Sequence, residues 1–336
     1  MRALVVRAPG QVGLEERLAP QLTPGSVLIR PTAVGLCGTD LEIIDGSIDP
    51  AYVRWPLVLG HEWSGIVIDP GATAPGLAPG SRVVVEGIVP CRHCGSCVDG
   101  DTNLCETYDE FGFTRDGAAA DLLVAPAELV HALAPSVSAE SGALVEPAAV
   151  VWRALLRAAP RPGYRILVIG DGTVGLLAVT LARLWSPASV TLLGARPEQA
   201  ALAASAGADR FLTDPDAAGT GYHLVIEAAG VPAAVSAALA APRRGGSVVL
   251  LGLAAHGLTI ELPIDEVVND DITLAGSFSY TSSAWSQVVD LLNAGRLDLG
   301  FLVTHRYGLE DWAQAVSTLR TSAGARGKVL LELGTG

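Results

Sequence analysis

The sequence predicts an α/β protein in two parts, a β-rich, partly barrel-like portion followed by a doubly wound parallel sheet. Three observations carry that expectation. Through about residue 135 the chain reads as short β-branched segments, MRALVVR, SVLIRPTAVG, WSGIVID, RVVVEGIV and DLLVAP, separated by PG, PGS and DG turns. From about Glu146 onward, near-continuous apolar strands alternate with helical stretches, the pattern of a parallel sheet covered on both faces. A glycine-rich turn of the form G-x-G-x-x-G joins a strand to a helix early in that second part. The length, 336 residues, suits two domains at roughly 150 residues each.

The second part opens with the helical stretch PAAVVWRALLRAA, which Pro160, Pro162 and Gly163 end before strand RILVIG. A helix is expected over Thr173–Trp185, a strand over SVTLLG, a helix over Pro197–Gly207 and a strand over YHLVIEAAG. A helix around Ala233–Ala241 and strands GSVVLLG and DITLAG complete the alternation. Helical spacing of Trp285, Val288, Val289 and Leu292, and then of Trp312, Val316 and Leu319, predicts two amphipathic helices before a last strand, KVLLEL.

Composition narrows the function. Half the residues are hydrophobic and 17% are charged, so the chain has the means to bury a core. Thirty-five acidic residues against 22 basic ones leave a net charge of −13, which argues against nucleic acid or an anionic membrane as partner. No apolar run reaches the roughly 18–20 residues of a membrane-spanning helix, and the opening MRALVVRAPG lacks the features of a signal peptide. A cytoplasmic protein is expected.

The glycine turn is Gly170-x-Gly172-x-x-Gly175, with Thr173 and Val174 beginning the helix that follows. Gly170 permits the tight turn, Gly172 lets a pyrophosphate approach the backbone, and Gly175 lets helix and strand pack closely. The helix N-terminus then receives the phosphates of a dinucleotide. About 20 residues on, an NAD-binding strand would end in a carboxylate for the ribose hydroxyls. Here it ends Leu193-Gly194-Ala195-Arg196. Gly194 leaves space where an acid would repel a 2′-phosphate, and Arg196 offers a guanidinium fork to hold it, so NADP(H) is expected in preference to NAD(H).

Four of the five cysteines, Cys91, Cys94, Cys97 and Cys105, fall in C-x2-C-x2-C-x7-C. In a reducing compartment that spacing reads as a closed, four-thiolate structural zinc site, with His93 a solvated bystander. Elsewhere, Cys37 in GLCGTDLE and His61-Glu62 in PLVLGHEWSG each lie where a β segment meets a glycine turn. Thiolate, imidazole and carboxylate from separate segments make an open zinc site with a position left for substrate. Glu146 in LVEPAAV is a second acidic candidate.

GLCGTD, GHEWSG, the four-cysteine lobe, FGFTRDGAAADLLVAP, VEP and GDGTVG together resemble the zinc-dependent medium-chain dehydrogenases, most closely their polyol and threonine dehydrogenase branch. The resemblance runs end to end. It implies a GroES-like, β-rich catalytic domain at 1–147 and 277–336, with the zinc lobe at 90–106, and a Rossmann domain at 148–276. It implies two zinc ions per chain, the catalytic one on Cys37, His61 and Glu146, with Glu62 binding directly or by exchange with water. Thr39 then contacts the substrate oxygen and starts the proton relay, Asp40 orients the zinc-bound imidazole, and Lys328 lies near the cofactor phosphates. Many relatives carry a histidine where this chain has Glu42, so a carboxylate would relay protons here.

The implied reaction is reversible hydride transfer between NADP(H) and a secondary alcohol or ketone, with a polyol, cyclitol or amino-alcohol as the preferred class. Trp55, Tyr108, Phe111 and Tyr280 are possible pocket residues. A simple aliphatic secondary alcohol is the alternative substrate. A zinc-independent quinone or enoyl reductase of the same fold would have no use for the two ligand sets, and a non-catalytic role would be expected to have lost them. Relatives form dimers or tetramers, and the apolar segment SVVLLGLAAHGLTIEL could supply such a surface.

Overall fold

The computed structural model describes residues 1–72, 76–253, 258–321 and 324–334, and the chain divides into two compact units. The first comprises Met1–Glu146, Thr281–Ser322 and Lys328–Gly336; the second comprises Pro147–Tyr280 and Ala323–Gly327. The return to the first unit thus falls at Thr281 rather than at 277. Five residues near the far end of the chain also belong with the second unit.

In the first unit the strands are β1 (Arg2–Ala8), β2 (Gln11–Glu16), β3 (Ser26–Leu36), β4 (Leu57–Val58), β5 (Glu62–Asp69), β6 (Arg82–Val85), β7 (Leu123–Pro126) and β8 (Val130–Ala132). In the second they are β9 (Arg165–Ile169), β10 (Ser189–Leu193), β11 (Arg210–Leu212), β12 (Tyr222–Glu227), β13 (Pro242–Leu250) and β14 (Thr273–Gly276). The first unit is completed by β15 (Val303–Gly308) and β16 (Lys328–Glu332). Its main sheet runs β15-β16-β3-β5-β6-β8, with β7 also on β3, beside a small β2-β1-β4 sheet. Every pairing there is antiparallel except β15 with β16. Val27, Ile29, Val34, Leu36, Trp63, Val83 and Val85 fill the space between these sheets and the helix Trp312–Arg320.

The second unit is a six-stranded, all-parallel sheet in the order β11-β10-β9-β12-β13-β14. Its central strands are buried along almost their whole length because helices cover both faces, which explains their unbroken apolar runs. The order reverses between β9 and β12, so the crevice where a ligand binds in such sheets opens beside the carboxyl end of β9. That is where the glycine turn lies.

Candidate active site

Register places the first cluster. Cys37 follows β3 and caps the helix Gly38–Asp45, while Glu62 opens β5 directly opposite Gly35 of β3. The pairing carries Cys37 and His61, 24 residues apart in sequence, to a Cys37 Sγ–His61 Nε2 distance of 3.2 Å. One ligand atom each from Cys37, His61 and Glu62 lies within 4.8 Å of the others. A tetrahedral zinc with bonds of about 2.0–2.3 Å spaces its ligands by roughly 3.5 Å, so this donor set fits the ion. Asp40 is fully buried and faces two ways: Oδ2 accepts the Cys37 N–H at 2.8 Å, and Oδ1 stands 3.6 Å from His61 Nδ1. One carboxylate therefore fixes both the turn bearing the thiol and the ring bearing the imidazole nitrogen.

The surrounding electrostatics are those of a site built for a cation. Burial pushes the Glu146 carboxyl up to about 8, and the Glu62 carboxylate adds to the shift. Burial likewise raises Glu110 to about 7, against the Tyr108 hydroxyl that donates to it. Burial works to lower His61, but Cys37 and Asp40 outweigh it and hold the imidazole well above its ordinary value. A thiol, an imidazole and several carboxyls crowded out of water are relieved by a divalent ion. Glu146 stands at the head of the helix Val145–Ala158, beside the group of three and not within it.

Thr39 is half-buried in the first turn after Cys37, and Glu42, one turn on, is exposed, with partial burial raising its carboxyl. Lys328, expected near the cofactor phosphates, opens β16 beside Glu62. It is 2% exposed, its ammonium donates to Glu62, and it lies 3.4 Å from the Leu36 carbonyl oxygen. The physical reason is strand order: β16 lies against β3, which delivers the first residue of β16 to the carboxylate on β5.

The cysteine lobe is a separate site. Sulfurs of Cys91, Cys94, Cys97 and Cys105 lie within 4.8 Å of one another, with Cys91 Sγ and Cys97 Sγ 4.0 Å apart. Backbone N–H groups of Cys94 and Cys91 point at Cys91 Sγ and Cys105 Sγ, each at 3.3 Å, as thiolate sulfur invites. All five cysteines are unbridged, and four sulfurs fit a closed tetrahedral ion. His93 is exposed and turned to the Cys91 carbonyl. Ser282 ties the lobe to the barrel: its N–H donates to Thr102 Oγ1 at 3.0 Å and its hydroxyl to Glu86 Oε2 at 2.5 Å.

In the second unit, Gly170 has φ +117° and Gly175 packs so closely on the Gly170 carbonyl that no side chain fits there. Gly172 is the opposite case: a Cβ there would meet nothing within 4 Å, and no side chain caps the helix Thr173–Ala182 that it begins. The uncovered N–H groups of that first turn, at Thr173 and Val174, form the cradle a pyrophosphate needs. At the end of β10 one expectation is corrected. The space beside Gly194 is filled by Asp171, whose Cβ lies 2.6 Å from where a Gly194 Cβ would stand. Its Oδ2 accepts the N–H groups of Ala195 and Arg196 at 2.9 Å, and Oδ1 accepts Arg196 Nη2 at 2.8 Å. A carboxylate does reach this strand end, from the glycine turn and not from the strand.

Comparison with known proteins decides the family. Residues 23–135 match the alcohol dehydrogenase GroES-like domain, and residues 173–294 match the zinc-binding dehydrogenase domain. Sorbitol dehydrogenase of Gallus gallus is 34% identical over 96% of this chain and 94% of its own. The chain belongs to the zinc-binding alcohol dehydrogenases. Within them it falls in the polyol dehydrogenase branch, and it is an enzyme. Among solved structures, this dehydrogenase is similar to a zinc-binding dehydrogenase of Sinorhizobium meliloti 1021 bound to NADP, at TM-score 0.92, 27% identity and 98% coverage of both chains. It is also similar to a short chain alcohol dehydrogenase of Escherichia coli CFT073 complexed with NADH, at TM-score 0.91, 25% identity and 99% of both chains.

Of the aromatic residues named from the dehydrogenase's sequence, Phe111 is buried in the first unit and Tyr280 in the second. Trp55 is half-buried against the first unit's core. Tyr108 does touch the acidic cluster, through Glu110, and stacks edge-on against Tyr52 at 5.2 Å. Glu110 and Asp171 went unread in the sequence. The only signal for Asp171 was an acid inside the glycine turn, and nothing local marked Glu110.

Proposed function

We propose that this dehydrogenase interconverts a secondary alcohol and its ketone, using an NADP-type dinucleotide, on a polyol, cyclitol or amino-alcohol. The convergence of Cys37, His61 and Glu62 on one point, with Asp40 behind the imidazole, carries the reading. When bound, zinc supplies Lewis-acid polarisation of the substrate oxygen, and the dinucleotide supplies the hydride donor or acceptor. Cys37, His61 and Glu62 or Glu146 hold the ion, and the four-cysteine lobe holds a second one. Thr39, two residues after Cys37, takes the proton of the substrate hydroxyl and passes it outward, with the exposed Glu42 as its exit. Lys328 keeps the Glu62 carboxylate paired. The tie of Arg196 to Asp171, which spends that acid's oxygens on protein donors, favours the 2′-phosphate over bare ribose hydroxyls.

Activity on polyols, cyclitols and short secondary alcohols, measured with both cofactors before and after chelation, tests this. Polyol-type oxidation with NADP, lost on zinc removal and restored by zinc, is expected; activity confined to aliphatic alcohols would replace the substrate class. Thr39→Val is expected to lower kcat by about 10²-fold or more with zinc content unchanged. An unaltered kcat would remove Thr39 from the proton path.

The parallel sheet ends in the short edge strand β14, and the chain between β13 and β14 exposes Leu253, Leu258, Ile260, Leu262 and Ile264. Such an edge supports a homodimer or homotetramer. The middle of the apolar segment expected to form this surface, residues 254–257, lies outside the described residues. No helix among the described residues is long and apolar enough to cross a membrane.

A further inference from the structure

Strand β12 ends on a carboxyl that solvent does not reach. Glu227 is its last residue, lies opposite Ile169 of β9 and Leu250 of β13, and is 0% exposed. An apolar residue would pack there at lower cost, because a buried polar group must recover its lost hydration in hydrogen bonds. Glu227 recovers it locally. Its Oε1 accepts the N–H groups of Ala229 and Gly230, each at 2.8 Å, and so folds the chain over directly after the strand. Its main-chain carbonyl accepts the N–H of Leu251 at 2.8 Å and that of Gly252 at 3.2 Å. One residue thereby ties the carboxyl end of β12 to that of β13. Its Oε2 takes no hydrogen bond among the described residues and faces Gly252, where a Cβ would stand 2.8 Å from it and 2.2 Å from Gly230 N.

The turn that Glu227 shapes lies against the glycine turn. A Cβ at Gly170 would stand 2.8 Å from the Ala228 carbonyl carbon and 2.9 Å from Ala229 N, and the Ala228 N–H donates to the Ile169 carbonyl at 2.8 Å. Residues 228–230 therefore stand at the reversal of strand order between β9 and β12, with Ala229 exposed. A dinucleotide that lies across such a reversal is divided between the two halves of the sheet. The glycine turn serves the adenosine half and the pyrophosphate, and it has its own anchor, the Gly170 N–H on the Leu193 carbonyl at 2.8 Å. The turn after β12 opens the other half.

We propose that Glu227 is the positioning residue of the nicotinamide half of the cofactor site: its carboxyl sets the course of residues 228–230, against which that end of the dinucleotide binds. This rests on the dinucleotide reading above and is independent of the choice between NADP and NAD. The side chain acts through bonds accepted by one oxygen, so an amide carbonyl can take its place. Binding of NADPH and NADH to the full-length, zinc-replete protein, followed by nicotinamide fluorescence, is compared with calorimetric binding of 5′-AMP, which fills the adenosine half alone. Glu227→Ala should weaken NADPH at least about tenfold and leave 5′-AMP within about twofold of the wild type. Glu227→Gln should return NADPH to within about threefold of the wild type, since its amide oxygen still accepts both N–H groups. Glu227→Asp, a methylene shorter, should fall between the two and carries the test should the alanine variant not fold.

A wild type that binds neither NADPH nor NADH would defeat the dinucleotide reading itself. A folded alanine variant, or failing that the aspartate variant, with wild-type NADPH affinity would defeat only the role of Glu227. Equal weakening of NADPH and 5′-AMP would make Glu227 a brace of the whole sheet and overturn the proposal. A glutamine variant as weak as alanine would trace the effect to charge and not to the turn, which overturns it as well.

Discussion

Replacing Cys37 by alanine is expected to lower kcat/KM by about 10³-fold or more, the equivalent of roughly 4 kcal/mol of lost charge stabilisation. The bound zinc should fall from two ions per chain to one. The size follows from geometry: the Sγ lies 3.2 Å from His61 Nε2, and its removal leaves an imidazole and a buried carboxylate to hold a divalent ion alone. The fold should survive, because Cys37 ends a strand whose core contacts come from Val34 and Leu36. Metal analysis beside steady-state kinetics makes the check. Two zinc ions in a variant of normal activity would show that the catalytic site lies elsewhere.

The second large effect is on stability. Cys97→Ala removes one of four sulfurs from a lobe whose other contents are small or polar, with Gly95, Ser96 and Gly100 among them and Val98 exposed. Nothing apolar replaces the metal as the lobe's core, so its loss unravels residues 91–105 and frees the Ser282–Thr102 tie to the barrel. At about 2–4 °C of Tm per kcal/mol for a unit of this size, a loss of several kcal/mol should lower Tm by roughly 10 °C. Scanning calorimetry with and without a chelator checks it. An unchanged Tm in the variant would mean the four sulfurs bear no structural ion. Cys37→Ala should move activity far more than Tm, and Cys97→Ala should do the reverse, so the pair separates the two sites.

How legible each site was depended on how local its information is. The cysteine lobe is written within fifteen consecutive residues, and the glycine turn within six, so spacing alone exposes both. Strands β9, β10 and β12 carry their burial on every residue and read as plain apolar runs. The pairing of Lys328 with Glu62 is not legible, because Glu62 is 266 residues away and is brought to it only by the order β16-β3-β5. Asp171 was missed for a related reason. The strand end has no carboxylate of its own, and the space over Gly194 is filled by a side chain 23 residues earlier.

The two metal sites also differ in when they can come into being during synthesis. The cysteine lobe is encoded in one short run and can capture its ion while the ribosome is still making the nucleotide-binding unit. The reactive centre cannot be finished then, because the lysine that neutralises Glu62 sits on β16 and emerges near the end of translation. A stalled or clipped polypeptide that ends before β16 would therefore hold its four cysteines together while Glu62 still lacked its cation.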